Sequence, residues 1–136
     1  MLFSASGNGH SVSMDAKKPI GTDAALTPKE LVLAGLCGCT AMDVASLMRK
    51  YRQEMKTLVI SAEATATDGA HPIVFKTVSL LFAVEGHIEK DKLIEAVTLS
   101  QTQYCGVSAM LAKAVDIHYE IHLNGEKVGE GKSNFL

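Results

Sequence analysis

Between Leu31 and Met48 the chain carries a single charged residue, Asp43. Thr27-Pro28-Lys29-Glu30 precedes this stretch and forms a capping box: a threonine hydroxyl placed to accept from the N3 amide, proline at N1, and Glu30 reaching back. The pattern predicts a helix from Pro28 to about Tyr51 or Arg52, where Arg49, Lys50 and Arg52 set positive charge at the negative end of the dipole. A helix this apolar on every side must be covered on every side. A chain of 136 residues leaves much of its surface exposed, so part of the cover is expected from a second copy. Gly35 and Gly38 permit another element to approach closely.

The rest alternates between strand and helix signals. Leu2 to Ser6 and His10 to Asp15 flank Gly7-Asn8-Gly9, a hairpin pattern, and Ala16 to Leu26 reads as a loop. Thr57 to Thr67 and Val74 to Glu85 alternate like strands and, joined by the short connection around Asp68-Gly69, should pair antiparallel. Lys90 to Gln103 has helical apolar spacing, Gly106 breaks it, and Val107 to Ala114 reads as a further short helix. Ile117 to Leu123 alternates and leads through Asn124-Gly125 into Glu126 to Glu130, with Gly129 to Leu136 expected as a loose tail. The expectation is one α+β domain over residues 1–136.

The net charge of -2, with Lys interleaved among Glu and Asp, leaves no basic face for a nucleic-acid backbone. No window reaches the ~20 uninterrupted apolar residues of a membrane span, and no basic-then-apolar leader opens the chain. The expected compartment is therefore the reducing cytoplasm, with no membrane partner. There the three cysteines are expected as thiols.

On a helix, Cys37 and Cys39 differ in direction by about 200°, so they neither bridge nor share a ligand. Cys39 shares a stripe with Leu36, Thr40 and Asp43. Cys105 lies at the break before Gly106, where it would face the amide-rich start of the next helix, a position that lowers a thiol's pKa. The competing reading makes all three cysteines small core residues. His118, Glu120 and His122 share one strand face, a pattern more often solvated than ligating. Nucleotide-binding and serine-hydrolase motifs are absent.

Thr27-Pro28-Lys29-Glu30-Leu31, with Cys39 eleven residues after the proline, and the later Tyr104-Cys105-Gly106-Val107-Ser108 resemble the OsmC/Ohr family of osmotically inducible and organic hydroperoxide resistance proteins. Gly38 to Val44 and Lys113 to Ile117 look closest to its uncharacterised bacterial branch. The resemblance implies antiparallel sheets wrapped around long central helices in an intertwined homodimer, with the site at the subunit interface. It implies that Cys39 is oxidised by an organic hydroperoxide to sulfenic acid, that Cys105 closes a disulfide, and that a dithiol reductant reopens it. No metal or flavin cofactor is implied.

Peroxidases of the family use an N-terminal arginine and a glutamate directly after the helix-start proline. Here the only arginines are Arg49 and Arg52, and Lys29 follows Pro28. Glu30, Asp43 and Lys29 are thus the candidate supporting residues, with Lys17, Lys18 or Lys29 of a second copy as possible sources of positive charge. The low aromatic content, 5%, points to a pocket of Leu, Met and Val suited to an apolar peroxide. Two other functions fit the same residues: a noncatalytic protein binding small molecules in that pocket, and a redox sensor using the disulfide as its signal.

Overall fold

The computed structural model describes every residue from Met1 to Leu136 and divides into two compact units, Met1–Gly35 and Leu36–Leu136.

In the first unit, β1 (Phe3–Gly7) and β2 (His10–Met14) pair antiparallel. Asn8 and Gly9 both take positive φ, 53° and 79°, as a two-residue turn matching the strand twist requires. The segment after β2 is wound around Asp15, which is 2% exposed. Its carboxylate accepts from the amides of Ala16, Thr22 and Ala24 at 2.7, 3.2 and 3.1 Å and from Thr22 Oγ1 at 2.8 Å. Gly21 faces Asp15 Oδ1 and the Ala16 carbonyl so closely that a β-carbon there would overlap both. The expected loop is thus a tightly organised one. The capping box is formed, with Glu30 N donating to Thr27 Oγ1 at 3.2 Å and Thr27 N to Glu30 Oε2 at 3.0 Å. It opens α1, Pro28–Lys50.

By length and composition α1 is apolar enough to cross a membrane, with a mean hydropathy of 1.8 over its best window. A count of uninterrupted apolar residues misses this because Thr40, Asp43 and two glycines punctuate the run. Leu36, Thr40, Val44, Leu47 and Met48 form a buried stripe at helical spacing. Val32 and Met42 are 42% and 75% exposed.

The second unit holds a four-stranded sheet in the order β3-β4-β5-β6, made of Glu54–Ala66, Phe75–His87, Asp116–Leu123 and Glu126–Lys132. The first and last pairings are antiparallel, but β4 and β5 run parallel from Thr77↔Asp116 to Val84↔Leu123. The sheet is therefore mixed. A parallel neighbour cannot be reached by a hairpin, and the crossover is supplied by α2 (Lys90–Leu99), a π-helical turn (Ser100–Tyr104) and α3 (Gly106–Leu111). Strand β3 begins three residues before the expected Thr57, across an irregularity between Met55 and Thr57.

One sheet face is buried: Val78, Leu80, Phe82 and Val84 of β4 and Ile117, Tyr119 and Ile121 of β5 alternate inward. Leu93, Ala96 and Val97 of α2 are buried with them. Phe82 and Tyr119 meet edge-to-face, centroids 6.1 Å apart. The chain end departs from the expected loose tail. Strand β6 runs to Lys132, and Ser133 is buried, its amide donating to the Ile117 carbonyl at 2.8 Å.

Candidate active site

The cysteines are carried by two elements whose geometry follows from local sequence. Cys39 and Asp43 stand four residues apart on α1, hence on one face, while Cys37 points away. Cys105 is the N-cap of α3, with φ -72° and ψ 102°, and its Sγ accepts from the Ser108 amide at 3.3 Å. The preceding helix does not run on to Gln103. It widens into the π-turn at Ser100, which brings the Cys105 amide to the Ser100 carbonyl at 2.9 Å.

The result is a three-membered cluster: the two sulfurs and a carboxylate oxygen of Asp43 lie within 4.8 Å of one another. Cys105 is 0% exposed, whereas Cys39 and Asp43 are half-buried. Desolvation pushes the Cys105 thiol up to about 11 against the lowering effect of its bonds from Ser108, and the neighbouring Cys39 raises it further. The helix-start position is as expected, but burial outweighs it. Burial also raises the Asp43 carboxyl, partly offset by Ser100 Oγ, which donates to Oδ2 at 2.9 Å. No cationic side chain is among the groups shifting Asp43.

A polar network behind the cluster was invisible to motif reasoning. Gln101, 0% exposed, donates from Nε2 to Ser100 Oγ at 3.2 Å and accepts at Oε1 from Ser108 Oγ at 3.0 Å and Ser133 Oγ at 2.6 Å. The signal for it was present: Ser100 and Gln101 continue the buried stripe of Leu93, Ala96 and Val97, and polar residues at core positions need partners.

The other sequence candidates lie elsewhere. Glu30 is in the first unit, engaged with Thr27 and with Lys17 at 3.3 Å, and Lys29 beside it is exposed. Lys17 also pairs with Asp23 at 2.9 Å. His118 and Glu120 are exposed, and Glu120 pairs with His122 and Lys127 at 3.1 and 3.5 Å. A cleft of about 340 Å³ lies over this outer sheet face, lined by Ser61, Glu63, Ser79, His118, Glu120 and Glu130 among others. Two further clefts, beside the β1–β2 hairpin and beside Phe135, contain neither cysteine.

Comparison with known proteins places the chain among relatives. The family model described as OsmC-like protein matches residues 21–120. Protein YhfA of Escherichia coli K12 is 37% identical over 119 residues, spanning 85% of this chain and 86% of that protein. A hypothetical protein from Aquifex aeolicus VF5 superposes with a TM-score of 0.68 at 27% identity, covering 91% of this chain and 96% of the other. The organic hydroperoxide resistance protein OhrB of Bacillus subtilis shares the fold, with a TM-score of 0.63 at 17% identity over 91% of this chain and 96% of its own.

Proposed function

The chain belongs to the OsmC-like family, and from that premise we propose that it is a thiol peroxidase reducing organic hydroperoxides through Cys39 and Cys105. The observation that carries the reading is the approach of the two sulfurs and the Asp43 carboxylate to within 4.8 Å. Exposure divides the roles, because a peroxide can reach half-buried Cys39 but not fully buried Cys105.

The Cys39 thiolate attacks the distal oxygen of the hydroperoxide. The O–O bond breaks, the electron pair leaves with the alkoxide, and a proton completes the alcohol. Sulfur is left as sulfenic acid. Cys105 then attacks Cys39 Sγ, its proton leaving with the sulfenic oxygen as water, and the disulfide closes. A dithiol exchanges through a mixed disulfide and carries the two electrons back. Since Cys105 is a thiol at neutral pH, its attack needs a proton acceptor, and Asp43 is the carboxylate nearest both sulfurs. The chemistry requires no cofactor.

The working unit is a homodimer in the cytoplasm. Val32 and Met42 stand exposed on an otherwise apolar helix, and a second copy would cover them and supply a pocket around Cys39. Lys29, at the start of α1, is a candidate source of positive charge for the partner's site.

The test is consumption of an alkyl hydroperoxide with a dithiol reductant. Wild-type turnover above that of Cys39→Ser, with sulfenic acid trapped in Cys105→Ser, is expected; equal turnover rejects the reading. One observation favours a noncatalytic binding or redox-sensing role instead: no cation acts on Asp43, and the chain's only arginines are Arg49 and Arg52. In that case a single slow oxidation, or none, replaces turnover.

A further inference from the structure

We propose that the reduced protein binds one Zn(II) ion per chain through Cys39 Sγ, Cys105 Sγ and an Asp43 carboxylate oxygen. The three donors already converge, each within 4.8 Å of the others. In a tetrahedral zinc site, with Zn–S of about 2.3 Å and Zn–O of about 2.0 Å, donor atoms stand about 3.5 to 3.8 Å apart. Closing by roughly an ångström therefore suffices, and rotation of Cys39 and Asp43, both half-buried, can supply it.

The donor set is chemically suited to the ion. Cys39 and Asp43, at i and i+4 on one helix face, form a chelating pair, and Cys105 enters from a separate element. Two sulfurs and a carboxylate fit zinc better than Mg(II) or Ca(II), which take oxygen ligands. Two of the three donors are held from behind: the Ser108 amide donates to Cys105 Sγ at 3.3 Å and Ser100 Oγ to Asp43 Oδ2 at 2.9 Å. Such partners fix ligand orientation, and Gln101 anchors both serines from the buried side.

Binding would leave a fourth position for water or for a thiol of the reductant. Coordination draws charge from both thiolates onto the metal and fills the space between them, which lowers their reactivity toward a peroxide, so zinc is a reversible inhibitor that preserves the sulfurs in reduced form. This consequence rests on the peroxidase reading, whereas the metal site does not.

The test is equilibrium dialysis of the full-length, fully reduced chain against zinc without peroxide, with metal measured per chain. Wild type and Cys37→Ser are expected to retain one zinc each. Cys39→Ser and Cys105→Ser should lose it, Asp43→Asn, which removes a charged donor, should weaken it further than Ser100→Ala, and Ser100→Ala should weaken it by about 10- to 100-fold. Far-ultraviolet circular dichroism confirms that each variant is folded, and for any that is not, Co(II) loading of wild type decides. Intense thiolate-to-cobalt charge-transfer bands and strong visible bands of a tetrahedral ion are then expected. Absence of retained zinc in wild type, retention unchanged in Cys39→Ser, or loss in Cys37→Ser overturns the site. A protein that binds zinc but turns over no peroxide would reject the peroxidase reading alone, and the reverse result would reject only the metal.

Discussion

Ser100 Oγ donates to Asp43 Oδ2 at 2.9 Å, tying the π-turn to the middle of α1 across 57 positions of sequence. It is the hydrogen bond that offsets the cost of burying the one acid in the apolar stretch.

Ser100→Ala removes that donor and also leaves Gln101 Nε2 without its acceptor. A partly buried carboxylate and a buried amide then lose partners, at about 1–3 kcal/mol together. A urea midpoint unchanged from wild type, at equal m-value, would show the bond to be incidental.

The Asp15 carboxyl is held far below the usual range by the Ala24 amide first, then Thr22 Oγ1 and the amides of Ala16 and Thr22. A depressed folded pKa means the unfolded chain takes up the proton first on acidification. The stabilisation is complete above about pH 4, the ordinary aspartate value, and is lost as pH falls toward the folded value. Thermal melts from neutral to acid pH should therefore show wild type converging on Asp15→Asn, which is less stable at neutrality. A constant gap between the two would contradict the assignment.

What could be read from the chain was local. The capping box at Thr27 and Glu30, the turn at Asn124-Gly125 and the opposite facing of Cys37 and Cys39 depend on neighbours in sequence. The parallel pairing of β4 with β5 was not legible, because alternation tells which face a residue takes and not which strand lies beside it. Asp15, placed at the end of an expected strand, is buried by the loop that follows it, and Ser133, placed in an expected tail, by a residue distant in sequence. The approach of Cys39 to Cys105 was available only through the family resemblance, and for Gln101 the helical stripe signals burial but not the partners that satisfy it. Its partners come from α3 and the segment after β6, and no spacing rule joins them.

Cys37 offers a control that separates reactivity from mere presence of a thiol. Desolvation raises its pKa, which lowers the thiolate fraction near neutral pH. Iodoacetamide should label Cys37 more slowly than an unstructured cysteine peptide, and Cys37→Ser should leave the rate of Cys39–Cys105 disulfide formation within about twofold of wild type, as expected for a near-isosteric change on the helix face turned away from the site. Peptide mass mapping after timed alkylation reads the first, and loss of that disulfide in Cys37→Ser would place Cys37 in the exchange pathway.

Gln101 should be the most sensitive position in the molecule that touches neither sulfur. Its Oε1 accepts from Ser108 and Ser133, its Nε2 donates to Ser100, and its carbonyl accepts from the Asn134 amide at 3.1 Å. Gln101→Leu keeps much of the volume but strands the two hydroxyls in a site with no solvent to replace the amide, at about 2–6 kcal/mol if each loss falls in the usual range. If unsatisfied polarity is the cause, Gln101→Leu/Ser133→Ala will be more stable than Gln101→Leu alone, since one stranded hydroxyl has been removed. A steric cause predicts the opposite order, because the second truncation adds a void. Denaturation of the two single variants and the double variant decides between them, and it also bears on chemistry: the Ser108 amide donates to Cys105 Sγ, so the variant that loosens Ser108 should close the disulfide more slowly even where the fold survives.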